Sequence, residues 1–289
     1  MKKTTFNENH FKKLRIAIIG DLIVDRYISG TIDRKNPESA APLVNVESIR
    51  RVLGGAWNVR ECLWRLGVEA LSFHCQDISP GGKNPPVPVK TRIIVDHQQI
   101  VRYDREDVFP ISPELQENIV KSVRRRKPDA IIVSDYAKGT ITGNYLDQLL
   151  DFPMYIDAHP ANYSLYPTAA VLKMNRRELR KITGLDDPLA GIDVIKKDQK
   201  AIIITGGERE TIYTDNCRPM AQAPAHKRKV YDVTGAGDVF MAAFVAAYTA
   251  TKLLSSSVEF ANYVAGLSVE KIGSYHPKWD EINRGQCDE

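Results

Sequence analysis

Leu14–Gly20, LRIAIIG, is a nearly continuous apolar run that ends in a glycine and is followed by Asp21. A strand with one wet face alternates apolar and polar residues. A run without alternation suits a central parallel strand buried on both faces. Similar runs recur at Asp129–Ser134 (DAIIVS), Met154–Ile156, Ala170–Met174 and Ala201–Thr205 (AIIIT). Helical segments lie between several of them, Ser112–Lys127 being the clearest. Ser112 can cap it, Pro113 fits its first turn, and Glu114 and Glu117 face its positive end. Alternating strands and helices imply a doubly wound parallel sheet. Arg124, Arg125, Arg126 and Lys127 read as the cationic close of that helix, not as a nucleic-acid site.

The 289 residues suit one large α/β domain with a small appendage. Lys plus Arg number 40 and Asp plus Glu 36, a net charge of +4, too mild to imply a nucleic-acid partner. With 43% apolar and 26% charged residues a sizeable core is expected, and 18 glycines with 16 prolines exclude a collagen-like chain. Cys62, Cys75, Cys217 and Cys287 have no CxxC spacing, so neither a zinc motif nor a disulfide framework is expected, and a reduced cytoplasmic compartment fits. Met1–His10 is polar and reads as a frayed tail without a secretory signal. No apolar run approaches the roughly 20 residues that span a bilayer, and Val239–Ala247 reads as a buried helix. No membrane role is expected.

Two stretches break the rhythm. Tyr27–Ile49 is polar, contains Pro37 and Pro42, and ends near the strand-like Leu43–Val46. Val87–Arg102 alternates and turns at Asp96-His97, the pattern of a hairpin. Together, as segments 27–49 and 87–104, they predict a small β lid. Ser79–Pro88 is a breaker-rich loop.

Four constellations carry chemistry. In YDVTGAGDVF, Tyr231–Phe240, Gly235, Ala236 and Gly237 precede an apolar helical run, where backbone N–H groups and the helix dipole favour an anion. Asp238 falls in the first turn, where a carboxylate near an anion suggests a proton acceptor; the alternative is a helix cap after a tight turn. Gly54-Gly55-Ala56-Trp57-Asn58 opens another helix, and Asn58 both donates and accepts, which suits a polyhydroxyl ligand. Asp21 and Asp25 follow the first strand, at the end where α/β sheets bind ligands; solvated acids are the alternative. Asn175 and Glu178 share a helix face and suit a hydrated Mg²⁺, or equally a capping box.

These motifs, in this order and at this separation, resemble the ribokinase/PfkB family of sugar kinases from Lys13 to Ile282, with Asp232–Asp238 (DVTGAGD) and Gly54–Asn58 (GGAWN) as the two signatures. Within the family, Gly20–Gly30, Asn36–Val44, His97–Asp104, Ser134–Thr142 and Phe260–Ser274 resemble the heptose-phosphate kinase branch. The resemblance implies a ribokinase-like, mostly parallel sheet with a β lid, residues 1–12 as a tail and 13–289 as a single kinase domain. It implies Asp238 as the catalytic base and Gly235, Ala236 and Gly237 as the anion hole. It places Asn175 and Glu178 at Mg²⁺, and Thr205, Gly207 and Asn262 at ATP. It places Asp21, Asp25, Arg26, Gly54, Gly55 and Asn58 at the sugar, and Lys90 and Arg92 at a sugar phosphate. The implied reaction is transfer from ATP to O1 of D-glycero-β-D-manno-heptose 7-phosphate, feeding ADP-heptose and lipopolysaccharide core synthesis, by a homodimer joined through the lid. Another family kinase, or an idle sugar-binding relative, are the alternatives. Three departures stand out. Too few residues follow Glu69 for a further helix and strand, so one sheet edge is expected to be truncated. His159 stands where this branch carries a lysine. Glu210 stands where a glycine is usual, and a carboxylate there would repel phosphates if it pointed inward.

Overall fold

The computed structural model describes residues 6–74, 86–168, 171–196, 199–215, 220–224, 229–271 and 273–286. Cys75, Cys217, Cys287, Ala170, residues 79–85 of the expected loop and residues 1–5 of the expected tail lie outside them.

The run after Leu14 is β1 (Arg15–Gly20), an interior strand of the main sheet buried on both faces as its lack of alternation requires, although it lies next to the edge and not at the centre. Parallel to it lie β4 (Glu69–Phe73) on one side and β7 (Ala130–Ser134) on the other. The parallel series continues through β8 (Met154–Asp157), β9 (Val171–Asn175) and β10 (Ala201–Thr205). Two antiparallel strands, β11 (Thr211–Asp215) and β12 (Ala221–Ala223), finish an eight-stranded sheet. β4 is the opposite edge, so among the described residues that side carries one strand beyond β1, as the shortened spacing predicts.

Successive residues of β1 feed two cores. Ile16 and Ile18 pack under α1 (Ala56–Arg65), α5 (Ala236–Thr251) and α6 (Leu254–Ser268). Ala17 and Ile19 pack under α2 (Pro113–Arg126), α3 (Arg176–Thr183) and α4 (Pro188–Ile195). α2 begins and ends as its sequence predicts: Ser112 Oγ accepts from the Leu115 N–H at 3.2 Å, and Lys127 closes it in a left-handed turn. Val239–Ala247 is buried throughout.

The lid is a separate four-stranded sheet, ordered β3 (Asn45–Gly55), β2 (Leu22–Thr31), β5 (Val89–Val95), β6 (Gln98–Arg105). Its hairpin turns at Asp96 (φ 49°) and His97 (φ 64°), the two left-handed positions that a twist-matched two-residue turn demands. The lid is larger than its sequence suggests. β2 starts at Leu22, directly after Asp21, and β3 runs on to Gly55, the residue before α1. Charged residues within these strands and the intervening prolines mask their length.

The expected frayed tail is a correction. Phe6 and Phe11 are buried, and the Phe11 ring lies 5.5 Å from Trp279 and 5.9 Å from Phe260, centre to centre. Asn7 caps a short turn at Glu8–His10. Aromatic rings, not the polar average of the segment, decide its fate. Truncating such a ring costs about 3–5 kcal/mol. Phe11→Ala is therefore expected to lower the urea midpoint without changing its slope; an unchanged midpoint would show the segment to be a passive tail.

Candidate active site

Ligands of open α/β sheets sit beyond the carboxyl ends of the strands. Here those ends deliver Asp21 after β1, Asp157 at the end of β8 and Asn175 at the end of β9. The N-terminus of α5 points at the same place and brings Asp238.

Asp238 is buried, and each carboxylate oxygen has a donor. Asn58 Nδ2 donates to Oδ2 at 2.8 Å and the Tyr136 hydroxyl donates to Oδ1 at 2.7 Å. Burial pushes the carboxyl up to about 7, against the pull of those two hydrogen bonds. Asn58 is itself oriented. Its amide nitrogen faces the acceptors Asp238 and the Gly235 carbonyl, which turns its oxygen to Nε2 of His276, whose pKa burial lowers to about 4. Gly235 is left-handed (φ 77°), and a Cβ there would lie 2.2 Å from Asn58 Nδ2, so only glycine fits. Ala236 N–H turns back to the Val233 carbonyl at 3.2 Å, which leaves the open end of α5 to its next N–H groups.

Asn175 and Glu178 form the capping box that was one of their two readings. Asn175 Oδ1 accepts from the Glu178 N–H at 2.9 Å, and Glu178 Oε2 accepts from the Asn175 N–H at 2.7 Å. Burial raises the Glu178 carboxyl, opposed by Lys173. Lys173 is buried and donates to both Asp157 oxygens at 2.8 Å. Burial acts against both charges, pushing Asp157 up and pulling Lys173 down. For Lys173 the attraction of Asp157, Glu178 and Asp238 prevails, and its pKa is raised.

The expected sugar side divides. Asp21 is buried, and its carboxylate accepts from the backbone N–H groups of Tyr136 (2.9 Å), Lys138 (3.0 Å) and Thr140 (3.0 Å). It anchors the 136–140 loop and so positions the Tyr136 hydroxyl that reaches Asp238. Gly55 is left-handed (φ 62°) where β3 passes the Asp21 carbonyl. Gly54 lies beside Asp25. Strand alternation separates Asp25 from Arg26. Asp25 is buried and ion-paired to Arg92, while Arg26 points to the other face, to Thr91 Oγ1 (3.1 Å) and the Tyr103 hydroxyl (2.6 Å). The grouping of Arg26 with Asp25 is thus corrected. Lys90 shares the Asp25 and Arg92 face, with Nζ 5.8 Å from the centre of the Tyr136 ring.

At the expected nucleotide end, Thr205 Oγ1 reaches the Met174 carbonyl at 3.5 Å and Gly207 (φ 68°) turns in open space. Asn262 ties Thr211 (2.9 Å) to the Pro224 carbonyl (3.3 Å). Glu210 pairs with Arg176 and does not stand as a free charge; a backbone hydrogen bond and this pair hold its carboxyl low. His159 caps the turn Pro160–Leu165, its Nδ1 accepting from the Ala161 N–H at 3.2 Å. Tyr136, Lys173 and His276 complete this buried constellation, and the sequence reading gave none of them a role. Lys173 had one signal, a lone cation in an apolar strand. Tyr136 falls within the family-like segment Ser134–Thr142 but had no signal of its own, and His276 had none, since their partners lie 102 and 218 residues away.

Asp238 makes a stability prediction. Its folded value near 7 lies above the ordinary 3.8, so between those pH values the unfolded chain releases a proton that the fold retains. Wild-type stability falls as pH rises through that window. Asp238→Asn removes the term, so its melting temperature should gain on wild type from pH 4 to pH 7 and level off above. A difference independent of pH would contradict the buried carboxyl.

The profile of the pfkB family of carbohydrate kinases matches residues 129–281, which include β7, the capping box and the α5 turn. The bifunctional protein HldE of Aliarcobacter butzleri is 32% identical over 94% of this chain, and that of Nitratiruptor sp. is 32% identical over 93%. The chain spans 64% of the length of each. Among solved structures, Arabidopsis thaliana ribokinase complexed with ribose and ATP covers 94% of the chain and 97% of its own, with a TM-score of 0.69 at 17% identity. A sugar kinase fold from Clostridium perfringens reaches 0.73 at 15% identity, covering 96% of both chains. A buried acid at the mouth of a glycine turn, over a sheet shared with these kinases, has its explanation in that kinship: the chain belongs to the pfkB family of carbohydrate kinases.

Proposed function

We propose that this carbohydrate kinase transfers the γ-phosphoryl group of ATP to O1 of a heptose 7-phosphate, D-glycero-β-D-manno-heptose 7-phosphate, giving the 1,7-bisphosphate. The observation that carries the reading is the Asp238 carboxylate, held by Asn58 and Tyr136 beside the Gly235–Gly237 turn. The sugar hydroxyl oxygen attacks phosphorus, its proton passes to Asp238, and the bond to the bridging oxygen breaks with its electron pair leaving on ADP. The helix N-terminus faces the charge that develops.

Mg²⁺, when bound, would neutralise phosphate charge. It prefers oxygen ligands and keeps several waters, so one or two carboxylates suffice. Glu178 fits, its Oε2 fixed by the Asn175 N–H, and would hold the ion through water. Among the described residues no cluster of three or more His, Cys, Asp or Glu offers an all-protein cage.

A phosphorylated sugar is favoured by the lid. Burial and the neighbouring cations Arg102 and Lys138 pull Lys90 below the usual lysine range, although Asp25 and Glu106 oppose them. A field that strains a cation welcomes a dianion, and a bare sugar offers none. The idle-relative reading loses its support from Glu210, which Arg176 neutralises.

The lid also supports the homodimer. Ile28 pairs in register with Ile49 and Ile93, and Ile93 with Val101, so these side chains share one face with Arg26 and Tyr103. Ile49, Val101 and Tyr103 are 59%, 45% and 47% exposed, an apolar face that a second copy would cover. Among the described residues no helix is long and apolar enough to cross a membrane; a kinase drawing on ATP is placed in the cytoplasm.

The test is a panel of sugars and sugar phosphates with ATP and Mg²⁺, read as ADP release. Wild type should prefer the heptose 7-phosphate, and Asp238→Asn should lose on the order of 10²–10⁴ in kcat. Arg92→Ala should raise KM for the phosphosugar about ten- to a hundred-fold, the worth of a charge-assisted hydrogen bond, with KM for ATP little changed. A wild-type preference for unphosphorylated sugars, or an unchanged phosphosugar KM, would overturn the substrate and spare the kinase.

A further inference from the structure

The loop that brings Tyr136 to Asp238 holds one residue in a conformation its type avoids. Ala137 has φ 53°, the left-handed region that residues other than glycine rarely enter. Such a backbone persists only where its surroundings hold it. Asp21 holds the neighbours, taking the N–H groups of Tyr136, Lys138 and Thr140. The N–H of Ala137 itself goes elsewhere, to Asp135 Oδ1 at 2.7 Å, the turn an aspartate side chain makes with the backbone two residues on.

Asp135 is 6% exposed, and its other oxygen, Oδ2, is claimed from the turn after β8. Asn162 Nδ2 donates to it at 2.8 Å, and the Tyr166 hydroxyl donates to the same atom. That hydroxyl accepts in turn from the His159 N–H at 2.7 Å. Three donors thus converge on one side chain. Only a carboxylate accepts from all three, since an asparagine would set its own NH₂ against one of them. Burial pushes the carboxyl up to about 6, with the nearby Asp21 adding and the hydrogen bonds opposing, so it is largely ionised where Asp238 titrates. Ala137 is the next residue after Tyr136, and a slack turn there carries the phenol off Asp238.

We propose that Asp135 is a positioning residue, which locks Ala137 in its left-handed turn and so fixes the Tyr136 hydroxyl on Asp238 Oδ1. Its effect on turnover rests on the reading of Asp238 as the base. Asp135 acts through Tyr136 and neither gives nor takes a proton in the transfer. The Tyr136 bond favours the charged form of Asp238, so the strength of the base is set, through Ala137, by a second carboxylate.

The test compares Asp135→Asn, Tyr136→Phe and the two together, which leave Asp157, Lys173 and Cys62 around Asp238 in place. The readouts are the acid limb of kcat/KM and the melting temperature across pH, with and without Asp238→Asn. Asp135→Asn should move the acid limb up by about one pH unit, the worth of a hydrogen bond to a charged group, and the double variant no further than Tyr136→Phe alone. In the Asp135→Asn background the melting-temperature gain from Asp238→Asn should keep growing above pH 7 in place of levelling off there. Removing a negative charge without loosening the loop would lower the Asp238 pKa instead, so the direction of the shift separates the two effects. Tyr166→Phe, which takes one donor from Asp135 and keeps the ring, should shift the limb the same way and serves if Asp135→Asn folds poorly. A limb and a melting-temperature window both left in place or moved to lower pH, or shifts that add in the double variant, would overturn the proposal. A window that widens in Asp135→Asn while the wild-type limb lies far from 7 would overturn the base reading and keep Asp135 as the residue that places Tyr136.

Discussion

A carboxylate withdrawn from water is stable only where the protein supplies its donors. Asp238 is such a group, and three distant parts of the chain converge to form the carboxylate and its two donors. Asn58 arrives on α1, Tyr136 in the loop after β7, and Asp238 itself on α5. Each donor meets a residue further out: His276 meets the Asn58 side-chain oxygen, and Asp21 gathers the loop that carries Tyr136. Asp21 can do this because β1 lies beside β7 and ends where that loop begins. The doubly wound sheet, the lid strands that leave and re-enter on either side of Asp21 and Gly55, and the glycine turn at Gly235 all meet the geometry of one carboxyl group. Its elevated pKa is the cost of that convergence and, in the proposed role of base, also its use, since a base near neutrality accepts a proton without holding it too tightly.

Around this group the charges fall into two sets. Toward α3 lie Lys173, Asp157 and Glu178, buried and mutually paired. Toward the lid lie Lys90, Arg92 and Lys138 with Asp25 and Glu106 as counter-charges. Under the proposed function, a transferred phosphoryl group and a phosphorylated acceptor are two anions that must be brought together. Two cationic flanks with a carboxylate between them suit that problem. The counter-charges keep each flank folded when no ligand is present, and a charged ligand can then share the cations at little reorganisation.

The main sheet was legible because buried parallel strands need uninterrupted apolar runs, and Leu14–Gly20 and Ala201–Thr205 can be little else. α2 was legible from its cap, its proline and its cationic end. The lid was only partly so, since β2 and β3 carry Asp25, Arg26, Arg50 and Arg51 in the middle of strands and look like loop. The glycine turns and Asp238 were visible as motifs. What motifs could not show is partnership across the chain. The anchoring role of Asp21 was hidden because a sequence does not reveal that three backbone N–H groups will bond its carboxylate. Phe6 and Phe11 looked like tail because their neighbours are polar, whereas burial is decided by the rings and by Phe260 and Trp279 far along the chain.

The account turns on Asp238 acting as a base whose pKa is set by burial and two hydrogen bonds, and the pH dependence of kcat/KM measures that in the free enzyme. The acid limb should have a midpoint near 7, with activity rising as the carboxyl ionises. Tyr136→Phe removes a hydrogen bond that favours the charged form, so its limb should move to higher pH. A wild-type midpoint near the ordinary carboxylate value of 3.8, or a limb that Tyr136→Phe leaves in place, would contradict the account.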